Sequence, residues 1–368
     1  MFSNFHVLIL AGGRGIRLWP KSNKKFPKHT LSLNFRYSLL QNTYKRLQGF
    51  IPEENIFVIT LEEQAKKIKK QLPSLHKENL IIEPEGKNTL PAILLGTIWI
   101  KRRFPQAIIA VLPSDHFIKP KRNFLNVLRK AKEVVERKDC ILTLGIKPNY
   151  PNTDYGYIKI KSKIKELAQH GKEELEIYKV EKFIEKPSLE RAIIFSKDKK
   201  FFWNLGIFVF GADKILKETE EFSPLVYKEF SYLAKFANQK KFNLLLKCIY
   251  KKVTSISIDK AIIEKSPSVY MLKANFSWLD LGSWESLASV LRKDRTGNVC
   301  LGENFLYKTK DSIIINEDKG HLVATLGLDN LIIIHTPDVS LICPKFKTKD
   351  LRKMVHLLER NQRIREYI

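Results

Sequence analysis

Apolar residues follow three successive rhythms along the chain, with breaks near Asn149 and Asp294. Before the first break, unbroken apolar runs at 5–11, 56–59, 80–82, 107–112 and 141–144 have the length of buried strands. Between them, residues recur at helical spacing: Leu39, Leu40, Thr43, Tyr44 and Leu47, then Ala65, Ile68 and Leu72. Further helices are expected at about 90–103 and around Phe124, Val127, Leu128, Ala131 and Val135. Strands apolar on both faces, alternating with amphipathic helices, demand a parallel sheet covered on both sides. Ligands then belong at the carboxyl ends of the strands.

From Asn149 the pattern alternates instead, at 155–160 and 178–184, with a helix after Pro187 and a long apolar run at 203–210. These strands read as an insertion that extends the sheet, and helical material follows from Ala212 to Tyr250. Past Asp294 the chain turns all-β, with short runs at 312–315, 322–326, 331–334 and 339–342. Gly320, Gly327, Asp329-Asn330 and Pro337-Asp338 punctuate them. A final helix presents Leu351, Met354, Val355 and Leu358 on one face. With 368 residues, two domains are expected, 1–290 and 291–368.

Composition narrows the class. The chain is 44% hydrophobic and 28% charged, as folded soluble proteins are. No apolar run approaches the roughly 18 residues of a membrane span, and the first apolar run lacks the basic flank of a signal peptide. Cys140, Cys248, Cys300 and Cys343 lie far apart with no metal-site spacing, so they read as reduced, buried residues of a cytoplasmic protein. The net charge of +26 is spread over the whole length, with no basic tail and no nucleic-acid-binding motif beside it. Lysine on solvated faces accounts for it.

The candidate chemistry starts where the first strand ends. Gly12, Gly13 and Gly15 follow it, with Arg14, Arg17 and, after Pro20 and Pro27, Lys28. Glycines let the backbone turn tightly and bring amide N–H groups up to another molecule, and the flanking cations make that molecule an anion. The spacing is neither a dinucleotide GxGxxG nor a GxxxxGK[ST] loop. A glycine turn after a strand is a structural device as often as a binding one. Asp115 follows the strand at 107–112, and Asp280 lies in Trp278-Leu279-Asp280-Leu281-Gly282-Ser283-Trp284. Two carboxylates from distant segments, with phosphate oxygens, suit Mg²⁺, although a lone Asp after a strand is commonly a cap. Glu185-Lys186-Pro187 ends a strand with an acid beside a base, and its plain reading is an exposed ion pair. Asn88-Thr89 before Pro91 reads plainly as a helix start.

Taken together these segments resemble the mannose-1-phosphate guanylyltransferases, or GDP-mannose pyrophosphorylases. The resemblance rests on Leu10-Ala11-Gly12-Gly13-x-Gly15-x-Arg17-Leu18-Trp19-Pro20, Pro27-Lys28, Glu83-Pro84 with Asn88-Thr89-x-Pro91-Ala92, and Ser114-Asp115-His116. It continues through Tyr155-Gly156-Tyr157-Ile158, Phe183-x-Glu185-Lys186-Pro187, Trp203-Asn204-x-Gly206-Ile207-Phe208 and Trp278-x-Asp280-x-Gly282-x-Trp284. It implies an α/β catalytic domain with a Rossmann-like mixed, mainly parallel sheet, helices on both faces, and a small C-terminal left-handed β-helix domain. It implies Mg²⁺-assisted transfer of GMP from GTP to α-D-mannose 1-phosphate, giving GDP-mannose and diphosphate, with no added isomerase domain. Neither nucleic acid nor membrane is implied as a partner, and a homodimer is the assembly considered.

By the same resemblance, Ala11, Gly12, Gly13, Arg14 and Gly15 hold the triphosphate with Arg17, while Lys28 steadies phosphate charge. Glu83, Pro84, Asn88 and Thr89 line the guanosine pocket. Gly156, Glu185 and Asn204 face the sugar, Lys186 meets its phosphate, and Asp115 and Asp280 hold Mg²⁺. The chain departs from the family's usual residues at Lys87 (for Arg), Leu90 (for Ala) and His29-Thr30 (for Gln-Phe). The rivals are a sister nucleotidyltransferase using another base or sugar, a non-catalytic nucleotide-sugar sensor, and a nucleic-acid binder suggested by charge.

Overall fold

The computed structural model describes residues 4–13, 15–23, 26–33, 35–164, 175–236, 239 and 241–368. Packing divides the chain into two units. One takes in the chain up to Gly12, Tyr44–Ser114 and Ile118–Trp278; the other takes in Gly13–Thr43, Asp115–Phe117 and Leu279–Ile368.

In chain order the first strands are β1 (Phe5–Ala11), β2 (Ile56–Leu61), β3 (Leu80–Glu83), β4 (Ile108–Pro113), β5 (His116–Lys119) and β6 (Ile141–Ile146). Then come β7 (Gly156–Lys163), β8 (Ile177–Glu185), β9 (Phe201–Gly211), β10 (Val269–Lys273) and β11 (Ser277–Asp280). Among the described residues of the first unit, nine strands form one sheet in the order β3-β2-β1-β4-β9-β6-β10-β8-β7, with β9 also pairing β7. β1 runs parallel to β2 and β4, β2 to β3, and β6 to β10. Within this sheet every antiparallel pairing of the described residues involves β7, β8 or β9. The sheet is mixed for that reason: β7 and β8 pair as antiparallel neighbours, and β9 runs antiparallel between β4 and β6.

The burial of β1, β2 and β4 is nearly continuous, as a sheet covered on both faces requires. The helices of this stretch include α1 (Leu39–Leu47), α2 (Ala65–Gln71), α3 (Thr89–Arg103) and α4 (Lys121–Arg137). α3 packs on β1, β2 and β3, and α4 on β4, β6 and β9. No helix among the described residues is long and apolar enough to cross a membrane. Strand β10 has no counterpart in the sequence reading. It is only five residues long and is held by flanking strands β6 and β8.

The second unit carries β12 (Val299–Leu301), β13 (Asn304–Tyr307), β14 (Ile313–Asn316), β15 (Val323–Leu326), β16 (Leu331–His335) and β17 (Ser340–Pro344). They form the ladders β12-β14-β16-β17 and β13-β15. Successive turns of chain stack in register, Val299 on Ile313 and Ile313 on Ile332, with parallel pairing up to β16. This is a β-helix core, closed by antiparallel β17. The same core contains Leu18, Trp19, Leu31, Leu33 and Leu39 from the early chain, together with Trp284, Leu351 and Val355. The terminal helix Leu351–Arg360 packs against the 3₁₀ turn Ile16–Leu18. The four cysteines are free, but only Cys140 is buried as expected; Cys300 and Cys343 are half-buried and Cys248 is exposed.

Candidate active site

In the second unit, a cation and two carboxylates meet. β1 ends at Ala11, and Gly13 begins the segment that leads to Gly15, whose φ is 73°. That left-handed conformation is one a glycine adopts without strain. It also clears space: a Cβ on Gly15 would lie 2.2 Å from the Lys28 Cβ. The following 3₁₀ turn, Ile16–Leu18, carries Arg17, and a second turn, Lys28–Thr30, starts directly after Pro27. Lys28 is buried, and its Nζ lies 2.6 Å from Asp115 Oδ2 and 3.1 Å from Asp280 Oδ1. Burial opposes the Lys28 charge, but Asp115 and Asp280 outweigh it and hold its pKa above the ordinary lysine value. Burial likewise resists charge on Asp115, yet Lys28 and then His116 hold that carboxyl well below the usual range.

Arg17 Nη2 stands 3.9 Å from Asp280 Oδ2, and Gly282 leaves room for both. A Cβ there would sit 2.8 Å from Arg17 Nη2 and 3.0 Å from Asp280 Oδ2. The Leu281 N–H donates to the Asp115 carbonyl, which ties the two Asp segments together. Trp284 is fully buried and donates from Nε1 to the Trp19 carbonyl at 3.1 Å. The second tryptophan of that motif therefore anchors the Arg17 turn. His29, where the family usually has Gln, is buried and bonded to the Gly13 backbone, and burial lowers its pKa to about 4. It stays neutral at pH 7 and braces the loop. Arg14 lies outside the described residues.

Asp115, His116 and Asp280 each present a ligand atom, all within 4.8 Å of one another, so a divalent metal ion could be held there. The donors fit a hard cation, because two carboxylates leave most coordination positions to substrate oxygens and water. Lys28 Nζ already bonds both carboxylates, so the group holds one positive charge of its own.

In the first unit, Glu83 ends β3 almost fully buried. The Tyr250 hydroxyl donates to its Oε1 at 3.0 Å, and a Cβ on Gly12 would lie 3.5 Å from its Oε2. Burial raises the Glu83 pKa to about 7, against the opposing effect of the Tyr250 bond. Beyond Pro84, Asn88 caps α3, its side chain accepting from the Thr89 N–H. Thr89 Oγ1 accepts from the Ile258 N–H at 2.9 Å, and Leu90 N–H donates to the Ile256 carbonyl. So Asn88-Thr89 is a helix start, as its plain reading has it, and also a stitch to the 256–258 segment. Tyr250 and that stitch had no signal in the sequence, since nothing local marks a distant partner.

The raised pKa has a stability consequence. Glu83 is protonated in the folded chain up to about 7 but ionises near 4.5 when unfolded, so its contribution is full below about 4.5 and lost as pH rises through about 7. Glu83→Gln is expected to remove a loss of about 3 kcal/mol between pH 5 and pH 8. Urea unfolding at the two pH values reads this directly; an unchanged pH dependence in the variant would rule it out.

The third group lies at the inserted strands. Gly156 and Glu185 are direct partners between β7 and β8. A Cβ on Gly156 would come within 2.7 Å of Glu185 Oε2. β8 ends at Glu185, and Lys186 takes φ 49°, which breaks the strand and turns its Nζ to 3.1 Å from Glu185 Oε1. Acid and base thus share one side and form an ion pair. Asn204, buried on β9, accepts from Thr143 Oγ1 at 2.7 Å and donates to Asp259 Oδ1 at 3.2 Å. The sequence reading missed Asp259, which opens the π-turn Asp259–Ile263.

A glycine-rich strand exit and a lysine bonded to two carboxylates are features that a nucleotidyltransferase can use, and the family match establishes that class. The family described as Nucleotidyl transferase matches residues 6–297, and one described as MannoseP isomerase/GMP-like beta-helix domain matches 302–358. A mannose-1-phosphate guanylyltransferase 2 of Escherichia coli O157:H7 is 35% identical over 98% of this chain and 75% of its own length. A mannose-1-phosphate guanylyltransferase of Klebsiella pneumoniae is 34% identical over 97% of this chain and 74% of its own. The crystal structure of mannose-1-phosphate geranyltransferase from Thermus thermophilus superposes with a TM-score of 0.83 at 29% identity, covering 97% of this chain and 99% of that one. That of mannose-6-phosphate isomerase from Helicobacter pylori gives 0.60 at 26% identity over 75% of this chain and 100% of that one. The chain belongs to the mannose-1-phosphate guanylyltransferase family of nucleotidyltransferases.

Proposed function

We propose that this chain transfers GMP from GTP to α-D-mannose 1-phosphate, forming GDP-mannose and releasing diphosphate. The observation that carries this reading is Lys28 held between Asp115 and Asp280, with Arg17 beside them. A phosphate oxygen of the sugar phosphate attacks the α-phosphorus in line, and the bond to the bridging oxygen of diphosphate breaks. Both reactants are polyanions, so the work is positioning and charge neutralisation. The nucleophile is already ionised at neutral pH and needs no general base.

In this reading Arg17 and the amides of Ala11, Gly12, Gly13, Arg14 and Gly15 hold the triphosphate. Lys28 follows charge as it moves to the leaving group. Asp115 and Asp280 are the Mg²⁺ ligands, and the ion when bound supplies further positive charge to the phosphates. Glu83, Pro84, Asn88 and Thr89 take the guanosine; Gly156, Glu185 and Asn204 take the sugar, and Lys186 its phosphate. The exposed Lys186 side chain has the reach for that role. The catalytic domain is taken as 1–290 and the β-helix domain as 291–368, close to the two family matches. The enzyme is placed in the cytoplasm and acts without nucleic acid or membrane.

Diphosphate release measured with each nucleoside triphosphate and sugar 1-phosphate tests this. GTP with mannose 1-phosphate is expected to give the highest kcat/KM. Preference for UTP or dTTP with glucose 1-phosphate would overturn it, and tight RNA or DNA binding without turnover would point to the charge-based rival.

A further inference from the structure

The group around Asn204 contains a second acid that the proposed reaction has not used. Asp259 comes from the π-turn Asp259–Ile263, a rare backbone form that costs hydrogen bonding and recurs at functional sites. Its Oδ1 takes the Asn204 amide, whose own oxygen is held by Thr143, so Asn204 is fixed from both ends. The charge of Glu185 acts on Asp259, and so do those of Lys186 and Glu264. Glu185 Oε1 is taken by Lys186, while Oε2 lies beside the bare Cα of Gly156, where any side chain would strike it. A Cβ on Gly156 would also lie 3.4 Å from the Cβ of Asn204, whose amide Asp259 holds, so two carboxyl groups from different elements adjoin the same glycine and asparagine.

We infer that Asp259 is a sugar-binding residue, forming with Glu185 an acceptor pair for two neighbouring hydroxyl groups of the sugar phosphate. This deepens the sugar-site reading and rests on it. Two sugar O–H donors match two carboxylates, and a sugar bound there displaces the proton that one acid carries in the free enzyme. Burial and then the Glu185 charge raise Asp259 to about 7, so that proton is present at pH 6 and absent at pH 8. Sugar binding then releases a proton to the buffer below about 7, and affinity for the sugar phosphate improves as pH rises through that value.

The experiment is steady-state kinetics at saturating GTP, with KM for mannose 1-phosphate measured from pH 6 to 8.5. Wild type is compared with Asp259→Asn, which removes the titration but keeps the shape and cancels the ionisation of the sugar phosphate itself. KM of the wild type relative to the variant is expected to fall about tenfold across this range, the change lying in KM more than in kcat. An identical pH profile for the two proteins overturns the inference. If the variant does not fold, a pH-independent wild-type KM overturns it instead. Glu185→Gln and Asn204→Ala separate the two levels. If neither raises KM at any pH, the sugar-site reading fails; if both do while Asp259→Asn keeps the wild-type profile, only the acceptor pair fails.

Discussion

Replacing Asp115 or Asp280 with alanine is expected to lower kcat by at least about a hundredfold, because on the proposed mechanism each removal takes away a ligand for the divalent ion as well as a partner of Lys28. Lys28 is the reason the two changes act alike: its Nζ bonds both carboxylates, at 2.6 Å and 3.1 Å. Without one, the ammonium is held less firmly where, on the proposed mechanism, diphosphate charge builds up. Stability should suffer less. Losing a partner of a fully buried charge costs about 3–5 kcal/mol, but the two Asp side chains are about a quarter exposed, so solvent reduces the loss to about 1–2 kcal/mol. Diphosphate release against metal concentration, with a thermal melt on the same samples, separates the two effects. Near-normal turnover in both variants would remove the carboxylates from the metal site.

Gly15→Ala is the second large effect. The left-handed φ of 73° costs an alanine about 1–2 kcal/mol, and its Cβ would collide with Lys28 Cβ at 2.2 Å. Overpacking of that kind adds about 1–3 kcal/mol and is relieved only by moving Lys28. Because the clash is with the backbone-proximal part of Lys28, its ammonium shifts too. A loss of at least about a hundredfold in kcat/KM is expected from misplacement alone. Gly13→Ala is the stability control, since nothing lies within 4 Å of a Cβ there, and its melting temperature should stay close to wild type. Equal melting temperatures for the two variants would contradict the steric account.

The candidates that meet around Lys28 were legible because their signals are local: glycines at a strand exit, a proline-set lysine, and carboxylates where strands end. The alternation of runs and helices likewise revealed the parallel part of the sheet. Less legible was β10, a short apolar run that nothing in its own residues separates from a stretch of buried helix and that is held between β6 and β8. Tyr250 and Asp259 were invisible for a related reason. Tyr250 sits among the apolar residues of the helix Phe242–Lys252, and Asp259 begins a short turn, so neither local pattern names a partner. Trp284, in the sequence only the last residue of a family motif, donates to the Trp19 carbonyl.

Sequence by itself determined the strand–helix order, the β-rich tail, the tight glycine turn at the end of β1, and which charged residues were candidates for function. Side-chain periodicity and backbone sterics act over a few residues, so they can be read from a few residues. Tertiary structure decided that Gly13–Thr43 packs with Asp115–Phe117 and the β-helix tail rather than with the strand it leaves. It also decided that Lys28 is charged between two acids, while Glu83 and Asp259 are pushed toward neutrality. Burial and Coulomb interactions depend on distances between segments far apart in the chain, and only folding sets those distances.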